Sequence, residues 1–411
     1  MKKIFEEHSA TISATQEIPA TPSAARRMTL NMGPQHPSTH GVLRIVLELE
    51  GETIVSAVPD IGFLHTGIEK ECEQKHWQQV VTLTDRVDYL ANLSNNLVYC
   101  LAVEKLLQIE IPPRAQWLRV MLTELSRLNS HLVWLGTHAL DIGAMSMFFY
   151  CFREREDILR ILEMFSGQRM MTSYIRIGGV ALEAPRGWQK VVGNFIRAFP
   201  SKVDEYEDLL NANPIWTRRT KGVGFISLED MLNLGITGPM VRAAGLPLDL
   251  RKSAPYSSYE KFDFKVATET DNDVWARYRV RMKEMRESAK IITQALEGMP
   301  EGPWQADAPH VVLPDREKMK TQMEALIHHF KIVTEGFNVP AGEVYQGIES
   351  GHGQMGYYVV SDGTAKPYRV HMRYPGFATL QALETMCKGR MLADVVAVIG
   401  SIDIVLGEID R

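Results

Sequence analysis

Two histidines in a short loop are candidates for binding a ligand or a metal ion. The run from Gly33 to Gly41 reads Gly-Pro-Gln-His-Pro-Ser-Thr-His-Gly and places His36 four residues before His40. Pro37 disfavours the helix that would bring both imidazoles to one metal ion, and no acidic or thiol ligand stands nearby in the sequence. The run predicts a shaped loop that presents histidine to a ligand, although histidines are also common on ordinary surface loops.

A second polar group lies between Asp85 and Tyr89, where we expect a helix that continues to about Gln108. Asp85 and Asp88 suit the first turn of such a helix, because carboxylates interact favourably with a helix N-terminus. Arg86 and Tyr89 stand three residues apart and would face the same side. From spacing alone, a structural role for all four is the simpler interpretation, since a buried tyrosine hydroxyl needs a hydrogen-bond partner in any case.

Asp141 interrupts the apolar stretch from Ala139 to Ala144. An acid in that position either ends a helix, as a solvated or capping residue, or is buried with a partner such as a histidine. The run from Gly351 to Gly356 has the glycine spacing of a nucleotide-binding loop, but a strand before it and a helix after it are not expected. It is therefore not interpreted as a nucleotide site.

The composition excludes several classes of protein. Of 411 residues, 45 are basic and 50 acidic, and the resulting net charge of −5 disfavours a nucleic-acid-binding function. The four cysteines contain no C-x-x-C pair, which argues against a disulfide framework, a zinc site or an iron–sulfur cluster held by this chain, and favours a reducing compartment. The four are Cys72, Cys100, Cys151 and Cys387.

No stretch approaches the roughly 18 apolar residues of a membrane-spanning helix, so any membrane contact is expected to run through other proteins. Residues 1–27 are rich in Ser, Thr, Ala and Pro, and predict a flexible tail without the features of a targeting signal. The rest, 28–411, is expected to form one domain. Its expected parts are an N-terminal β region at 28–60, a mainly helical core at 66–335, and a β-hairpin with a final helix at 340–411.

The elements that must position these groups are predominantly helices, and the predicted fold class is α+β with small antiparallel sheets near both ends. Alternating apolar residues predict a hairpin from Leu43 to Val58, and the turn at Asp362 and Gly363 predicts a second hairpin. Apolar stripes at helical spacing predict the long helices. Their expected ranges are 85–108, a helix starting at Pro113, 145–165, 188–211, 273–298, 316–335 and 380–399.

Several segments carry a resemblance to a known family. They include Thr29–Arg44, Ile61–Lys70, Glu124–Leu128, Tyr174–Gly179, Met282–Ile291, Gly356–Gly363 and Asp403–Arg411. In order, and from Met28 to Arg411, they closely resemble the D subunit of the proton-pumping NADH:quinone oxidoreductase, respiratory complex I. The resemblance implies a helical-bundle fold related to the large subunit of nickel–iron hydrogenases. The segments Arg86–Ala91 and Asp403–Glu408, which match the hydrogenase metal-binding segments, contain no cysteine, so no nickel–iron centre and no bound metal are expected.

The resemblance also implies a site. It places the quinone head group in the vacated metal cavity, formed with the B subunit, which carries the terminal [4Fe–4S] cluster. His40 and Tyr89 match the residues that would hydrogen-bond the quinone carbonyls, Asp141 matches an acid that would pair with His40, and Arg86 matches an arginine close to the cluster. Histidine and tyrosine, with ordinary pKa values of about 6.5 and 10, are suitable proton donors to a quinone that gains two electrons. This chain would bind no cofactor alone, would not be catalytic in isolation, and would link quinone reduction to proton translocation.

The implied partners are the B, C and I subunits and the membrane-embedded H subunit, at the cytoplasmic face of a bacterial inner membrane. The resemblance places Met171 where many members carry a histidine near the cluster, and Thr66 replaces an arginine associated with mitochondrial forms, which favours a bacterial source. Two alternatives remain open. One is the equivalent subunit of a related membrane-bound oxidoreductase that takes electrons from ferredoxin or another donor, and the other is a non-catalytic scaffold with the same fold.

Overall fold

Three small antiparallel sheets occur in the computed structural model, which describes residues 27–411. In each sheet the order of the strands follows their order in the chain. The strands are β1 (Arg27–Met32), β2 (Arg44–Glu50) and β3 (Thr53–Asp60); β4 (Ile175–Arg176) and β5 (Gly179–Val180); and β6 (Gly342–Glu349), β7 (Gln354–Ser361) and β8 (Arg369–Arg373). Both predicted hairpins are present, as β2–β3 and β7–β8. Strand β1 lies in the predicted N-terminal β region but was not predicted as a separate strand, and the β4–β5 pair and β6 were not predicted. Most of the predicted tail, residues 1–26, lies outside the described residues.

Helices account for most of the remaining described residues. The longer helices are α2 (Trp77–Thr84), α3 (Asn92–Leu107), α4 (Pro113–Asp141), α5 (Met145–Ser166), α6 (Trp188–Asn211), α11 (Val274–Gly298), α13 (Met323–Thr334) and α16 (Leu392–Ile402). The shorter ones are α1 (Ile68–Cys72), α7 (Pro214–Thr220), α8 (Leu228–Asn233), α9 (Pro239–Ala243), α10 (Leu250–Ser253), α12 (Arg316–Thr321), α14 (Pro375–Gln381), α15 (Leu383–Cys387) and α17 (Leu406–Ile409). The predicted fold class, predominantly helical α+β with sheets near both ends, is confirmed.

Helix α4 is the centre of the bundle. Pro113 is its first residue, as predicted. Proline is well suited to this position, because the backbone N–H that it lacks would have no hydrogen-bond partner within the helix. The helix packs against α3, α5, α11 and α16, and therefore most of its side chains are buried, including polar ones such as Arg127, Ser130 and His131. A helix surrounded in this way must satisfy its polar groups inside the protein.

The prediction of a helix from Asp85 to about Gln108 is wrong for the first two turns. Residues 85–91 form turns, and α3 begins only at Asn92. The Oδ1 atom of Asp88 accepts hydrogen bonds from the backbone N–H groups of Leu90 and Ala91, both at 3.1 Å. Side-chain bonds of this kind compete with the helical ladder, so Asp88, which was expected in the first turn of the helix, delays its start.

Two further helices are divided. The predicted helix 316–335 breaks at Gln322, whose extended φ of −124° separates α12 from α13, and α12 buries none of its side chains. The predicted final helix 380–399 is interrupted because residues 389–392 pair with the β2–β3 hairpin. Gly389 N donates to the carbonyl of Ile54 at 2.8 Å, and Ile54 N donates to the carbonyl of Arg390 at 2.8 Å. Backbone groups used for that pairing cannot continue a helix.

Gly238, before α9, is a position where only glycine fits. Its φ and ψ are 76° and −148°, and a Cβ atom there would lie 2.4 Å from Gly353 Cα and 2.6 Å from the carbonyl oxygen of His352. We expect Gly238→Ala to lower the free energy of unfolding of the full chain by about 3 kcal/mol, from strain and overpacking together. Gly235→Ala is the matched control, since Gly235 also has positive φ, 72°, but has open space around its Cβ position. Equal losses in urea unfolding for the two variants would contradict the steric argument.

Candidate functional site

His40 ends a short 3-10 turn, Pro37–Thr39, that follows β1. It adopts a left-handed φ of 55°, and Gly41 follows with φ 79°, so the chain reverses sharply there. The Nδ1 atom of His36 accepts a hydrogen bond from Ser38 N at 3.2 Å, whereas His40 is exposed to solvent. The turn therefore uses His36 to hold its own shape and leaves His40 available to a ligand.

The pKa of His40 is lowered because surrounding protein atoms displace water, and the negative charge of Asp403 offsets this only in part. The lowered pKa favours the neutral imidazole, and negative charge arriving beside the ring would favour its protonated form.

Asp141 is the last residue of α4 and is half-buried. The negative end of the helix dipole lies there, so the residue does not act as a cap. Its Oδ1 atom accepts a hydrogen bond from Ser38 Oγ at 3.2 Å. Burial raises the pKa of Asp141, and the hydrogen bond from Ser38 and the charge of His36 oppose that shift. Within residues 27–411, no hydrogen bond or ion pair joins Asp141 to His40, so Asp141 holds the turn that carries His40 rather than the ring itself.

Arg86 and Tyr89 lie in the turn between α2 and α3. Arg86 is exposed, and its Nη1 donates a hydrogen bond to the carbonyl of Thr82. Tyr89 is half-buried; burial raises the pKa of its hydroxyl, and the charges of Asp88 and Glu408 raise it further. Because these residues are not on a helix, their three-residue spacing does not decide their orientation.

Behind Tyr89 lies a buried cluster of titratable groups, which we call the carboxylate cluster: Asp88, His352, Asp403 and Glu408. The Nδ1 atom of His352 lies 3.1 Å from Asp403 Oδ2, and its Nε2 atom lies 3.4 Å from Asp88 Oδ2. Ser130 Oγ, on α4, is 3.1 Å from the same Nε2 atom. One imidazole thus joins the turn that carries Tyr89 to the C-terminal end of α16.

The pKa values of the four groups in the carboxylate cluster are shifted in different directions. Burial alone would lower the pKa of His352, but Asp403 and Asp88 outweigh it and raise the value to about 10. Burial alone would raise the pKa of Asp403, yet His352 and Arg281 bring it down to about 2. For Asp88 and Glu408 burial prevails, and both carboxyl groups have raised pKa values. The firm ion pair is therefore His352 with Asp403, while Asp88 and Glu408 hold their protons more tightly than ordinary carboxylic acids do.

The C-terminal segment 403–408 connects the two predicted quinone-contacting residues. Asp403 acts electrostatically on His40, and Glu408 acts on Tyr89. Gly407 permits the close approach, since a Cβ atom there would lie 2.5 Å from the carbonyl oxygen of Val87 and 3.3 Å from Tyr89 Cε1. Turns that are distant in sequence thus come near the same segment, and a buried charge network lies behind them.

His352 is the functional candidate that the sequence reasoning missed. The signal was present in the glycine-flanked histidine of the run from Gly351 to Gly356. That run was set aside because a preceding strand was not expected, but β6 does precede it, and β7 rather than a helix follows. Glycines on both sides of a histidine in a tight β connection indicate close backbone approach around that ring.

A cavity of about 640 Å³ lies elsewhere, between α2, the β4–β5 region and α13. Neither His40, Tyr89 nor Asp141 lines it, so the cavity is separate from the residues discussed above. All four cysteines are buried with free thiols. Across residues 27–411 there is no group of three or more His, Cys, Asp or Glu side chains arranged to hold a metal ion, and no helix in that range is long and apolar enough to cross a membrane.

Comparison with known proteins gives consistent matches. The family described as "Respiratory-chain NADH dehydrogenase, 49 Kd subunit" matches residues 141–411. The NADH-quinone oxidoreductase D subunit 1 of Solibacter usitatus is 74% identical, over 96% of this chain and 97% of its own length. The D subunit 2 of the same enzyme in Koribacter versatilis is 66% identical over 94% and 96%. The D subunit of Trichlorobacter lovleyi is 56% identical over 93% and 98%.

Proposed function

The chain belongs to the family of the 49 kDa subunit of the respiratory-chain NADH dehydrogenase, called the D subunit in its bacterial relatives, and we propose that it forms the quinone head-group site of that complex. The family resemblance drawn from the sequence is confirmed. The observation that carries the proposal is the meeting of the His40 turn and the Tyr89 turn at the C-terminal segment 403–408, with a buried charge cluster behind them.

Tyr89 and His40 are proposed to hydrogen-bond the two quinone carbonyls. When the bound quinone gains two electrons, each carbonyl oxygen becomes an oxyanion that needs a proton. The Tyr89 hydroxyl donates one. The developing negative charge raises the pKa of the nearby His40 imidazole, so this solvent-exposed ring can take up a proton from water and pass it to the second oxyanion.

Asp141 is proposed to transmit the state of the His40 turn to the helical bundle. Ser38, two residues before His40, donates to Asp141 at the end of α4, so a change of charge or position at His40 alters a contact with the central helix. Helix α4 also carries Ser130, which contacts the carboxylate cluster. This physical continuity supports, as a hypothesis, a link between quinone chemistry and proton translocation.

Arg86 is proposed to face the partner that supplies electrons. Its exposed guanidinium, next to the Tyr89 turn, would lie near the [4Fe–4S] cluster held by the B subunit, whose reduced state a positive charge favours. The C and I subunits and the membrane-embedded H subunit are the further proposed partners, which would hold the chain in the peripheral arm at the cytoplasmic face of the bacterial inner membrane. Met171, whose backbone φ of 52° is unusual for methionine, is proposed to make the cluster potential less dependent on pH than histidine would.

Photoaffinity labelling of the purified native complex tests the site. An azido-substituted quinone is expected to label peptides that contain His40 or Tyr89, and excess unlabelled quinone is expected to suppress the labelling. Labelling confined to other subunits would contradict the proposal. The same preparation reports the electron donor, because absence of a flavin-bearing NADH module among the co-purifying subunits would favour the ferredoxin-type alternative.

A further inference from the structure

We infer that His352 is a positioning residue for quinone reduction: its imidazolium is the counter-ion of Asp88 and thereby keeps Tyr89 able to give up its proton. The inference rests on the proposed function, because it assigns Tyr89 the role of proton donor. It adds a residue that lies far from Tyr89 in the sequence and that does not itself contact the proposed quinone site.

The position of His352 is tightly held. Its two ring nitrogens lie 3.1 Å from Asp403 and 3.4 Å from Asp88, on opposite sides of the ring. The side chain is buried, and Gly238 packs against its backbone carbonyl so closely that a Cβ atom would lie 2.6 Å away. The loop between β6 and β7 therefore fixes the position of the His352 imidazole between the Tyr89 turn and α16.

The polar groups around His352 come from four elements. Asp88 approaches from the turn before α3, Asp403 from the end of α16, and Glu408 from α17, while Ser130 on α4 contributes a neutral hydroxyl. Arg281, on α11, lies 3.6 Å from Asp403 and so shares that carboxylate with His352. Asp403 is therefore paired with two cations, His352 and Arg281. Among the described residues, the ion-pair partner of Asp88 is His352 alone.

The consequence for Tyr89 follows from Coulomb's law in a poorly solvated site. A phenol that donates its proton develops negative charge, and the charges of Asp88 and Glu408 oppose this by raising the pKa of Tyr89. A positive charge on His352, 3.4 Å from Asp88, opposes the negative charge of that carboxylate. Because the pKa of His352 is raised to about 10, that charge is present throughout the physiological range.

The test measures the pH profile of NADH:quinone reduction in the assembled complex that carries His352→Gln. Without the imidazolium, Asp88 is tolerated only while it is protonated, so activity should fall as the pH rises through the raised pKa of Asp88. We expect the alkaline limb to move to lower pH and the rate at pH 8 to fall about tenfold, less than the loss on removing a proton donor outright, because the donor is weakened and not removed. An alkaline limb identical to that of the wild type would overturn the inference.

The double variant His352→Gln with Asp88→Asn separates charge from packing. The substituted asparagine keeps a side-chain oxygen to accept from Leu90 N and Ala91 N, but it removes the charge that His352 compensates. The double variant should recover the alkaline limb, and it should assemble even if the single variant does not. Lower activity than in the single variant, or failure of both variants to assemble, would overturn the inference.

His131→Gln is the matched control. His131 is also a buried histidine paired with a carboxylate, Glu284, at 3.0 Å, but Arg242 already neutralises that partner. The alkaline limb of the pH profile of the His131→Gln complex should match that of the wild type. A shift equal to that of His352→Gln would count against a specific role of His352.

Tyr89→Phe in the same assay distinguishes failure of the proposed site from failure of the inference about His352. If Tyr89→Phe is fully active, the proposed site fails; if it is inactive while His352→Gln behaves as wild type, only the present inference fails.

Discussion

Tyr89→Phe is expected to lower quinone reduction by the assembled complex by about 100-fold or more, the range typical of removing a positioned proton donor. The phenyl ring keeps the half-buried packing against Gly407, and only the hydroxyl is lost. The folded structure should therefore remain. Protonation of one quinone oxyanion would then depend on water or on His40, neither of which is held in the position of the phenol.

The measurement compares two electron acceptors in the same preparation. NADH-driven reduction of ferricyanide, which takes electrons before the quinone site, should stay at the wild-type rate, and the subunit content should be unchanged. Tyr99→Phe is a suitable control, since its buried hydroxyl donates to the carbonyl of Trp77 at 2.9 Å and lies outside the candidate site. Wild-type quinone reduction in the Tyr89→Phe complex would remove the basis for calling this residue a donor.

Arg242→Met is expected to have the largest effect on stability. Arg242 is completely buried, and its guanidinium lies 2.7 Å from Glu284 and 2.6 Å from Glu349. Burial alone would raise the pKa of Glu284, but Arg242 and His131 lower it on balance, whereas the pKa of Glu349 stays raised. Removing the arginine leaves an ionised Glu284 buried with only His131 as a partner, which should cost about 3–5 kcal/mol of unfolding free energy.

Chemical denaturation of the full chain at pH 7 measures this loss. Arg369→Met is the matched control, since Arg369 also lies near two glutamates, Glu69 at 2.9 Å and Glu73 at 3.2 Å, but its side chain is 43% exposed. Solvent screens that pair, and the control should lose less than about 1 kcal/mol. Similar losses in the two variants would contradict the claim that burial makes the difference.

Local sequence signals predicted helices and strands well where the bounds of an element depend only on residues close together in the chain. The helix 188–211 was predicted with its observed bounds, and Asp273 caps α11 by accepting from Ala276 N at 2.7 Å. Side-chain spacing and capping act within a few residues, so they can be read from the sequence. The same local reasoning was wrong for residues 85–91, because the Asp88 side chain bonds to the backbone that the helix would have used.

Motifs distributed from Met28 to Arg411 were enough to identify the family, and the resemblance pointed to His40, Tyr89, Asp141 and Arg86 as site residues. How these residues are supported depends on the packing of the whole chain. Asp141 bonds Ser38 rather than His40, and His352, which lies 222 residues from Ser130, joins Asp88 to Asp403 behind Tyr89. Contacts at such separations depend on how the helices and sheets pack, and the strength of a charge depends on the burial that this packing creates. Neither quantity is encoded in the spacing of residues along the chain.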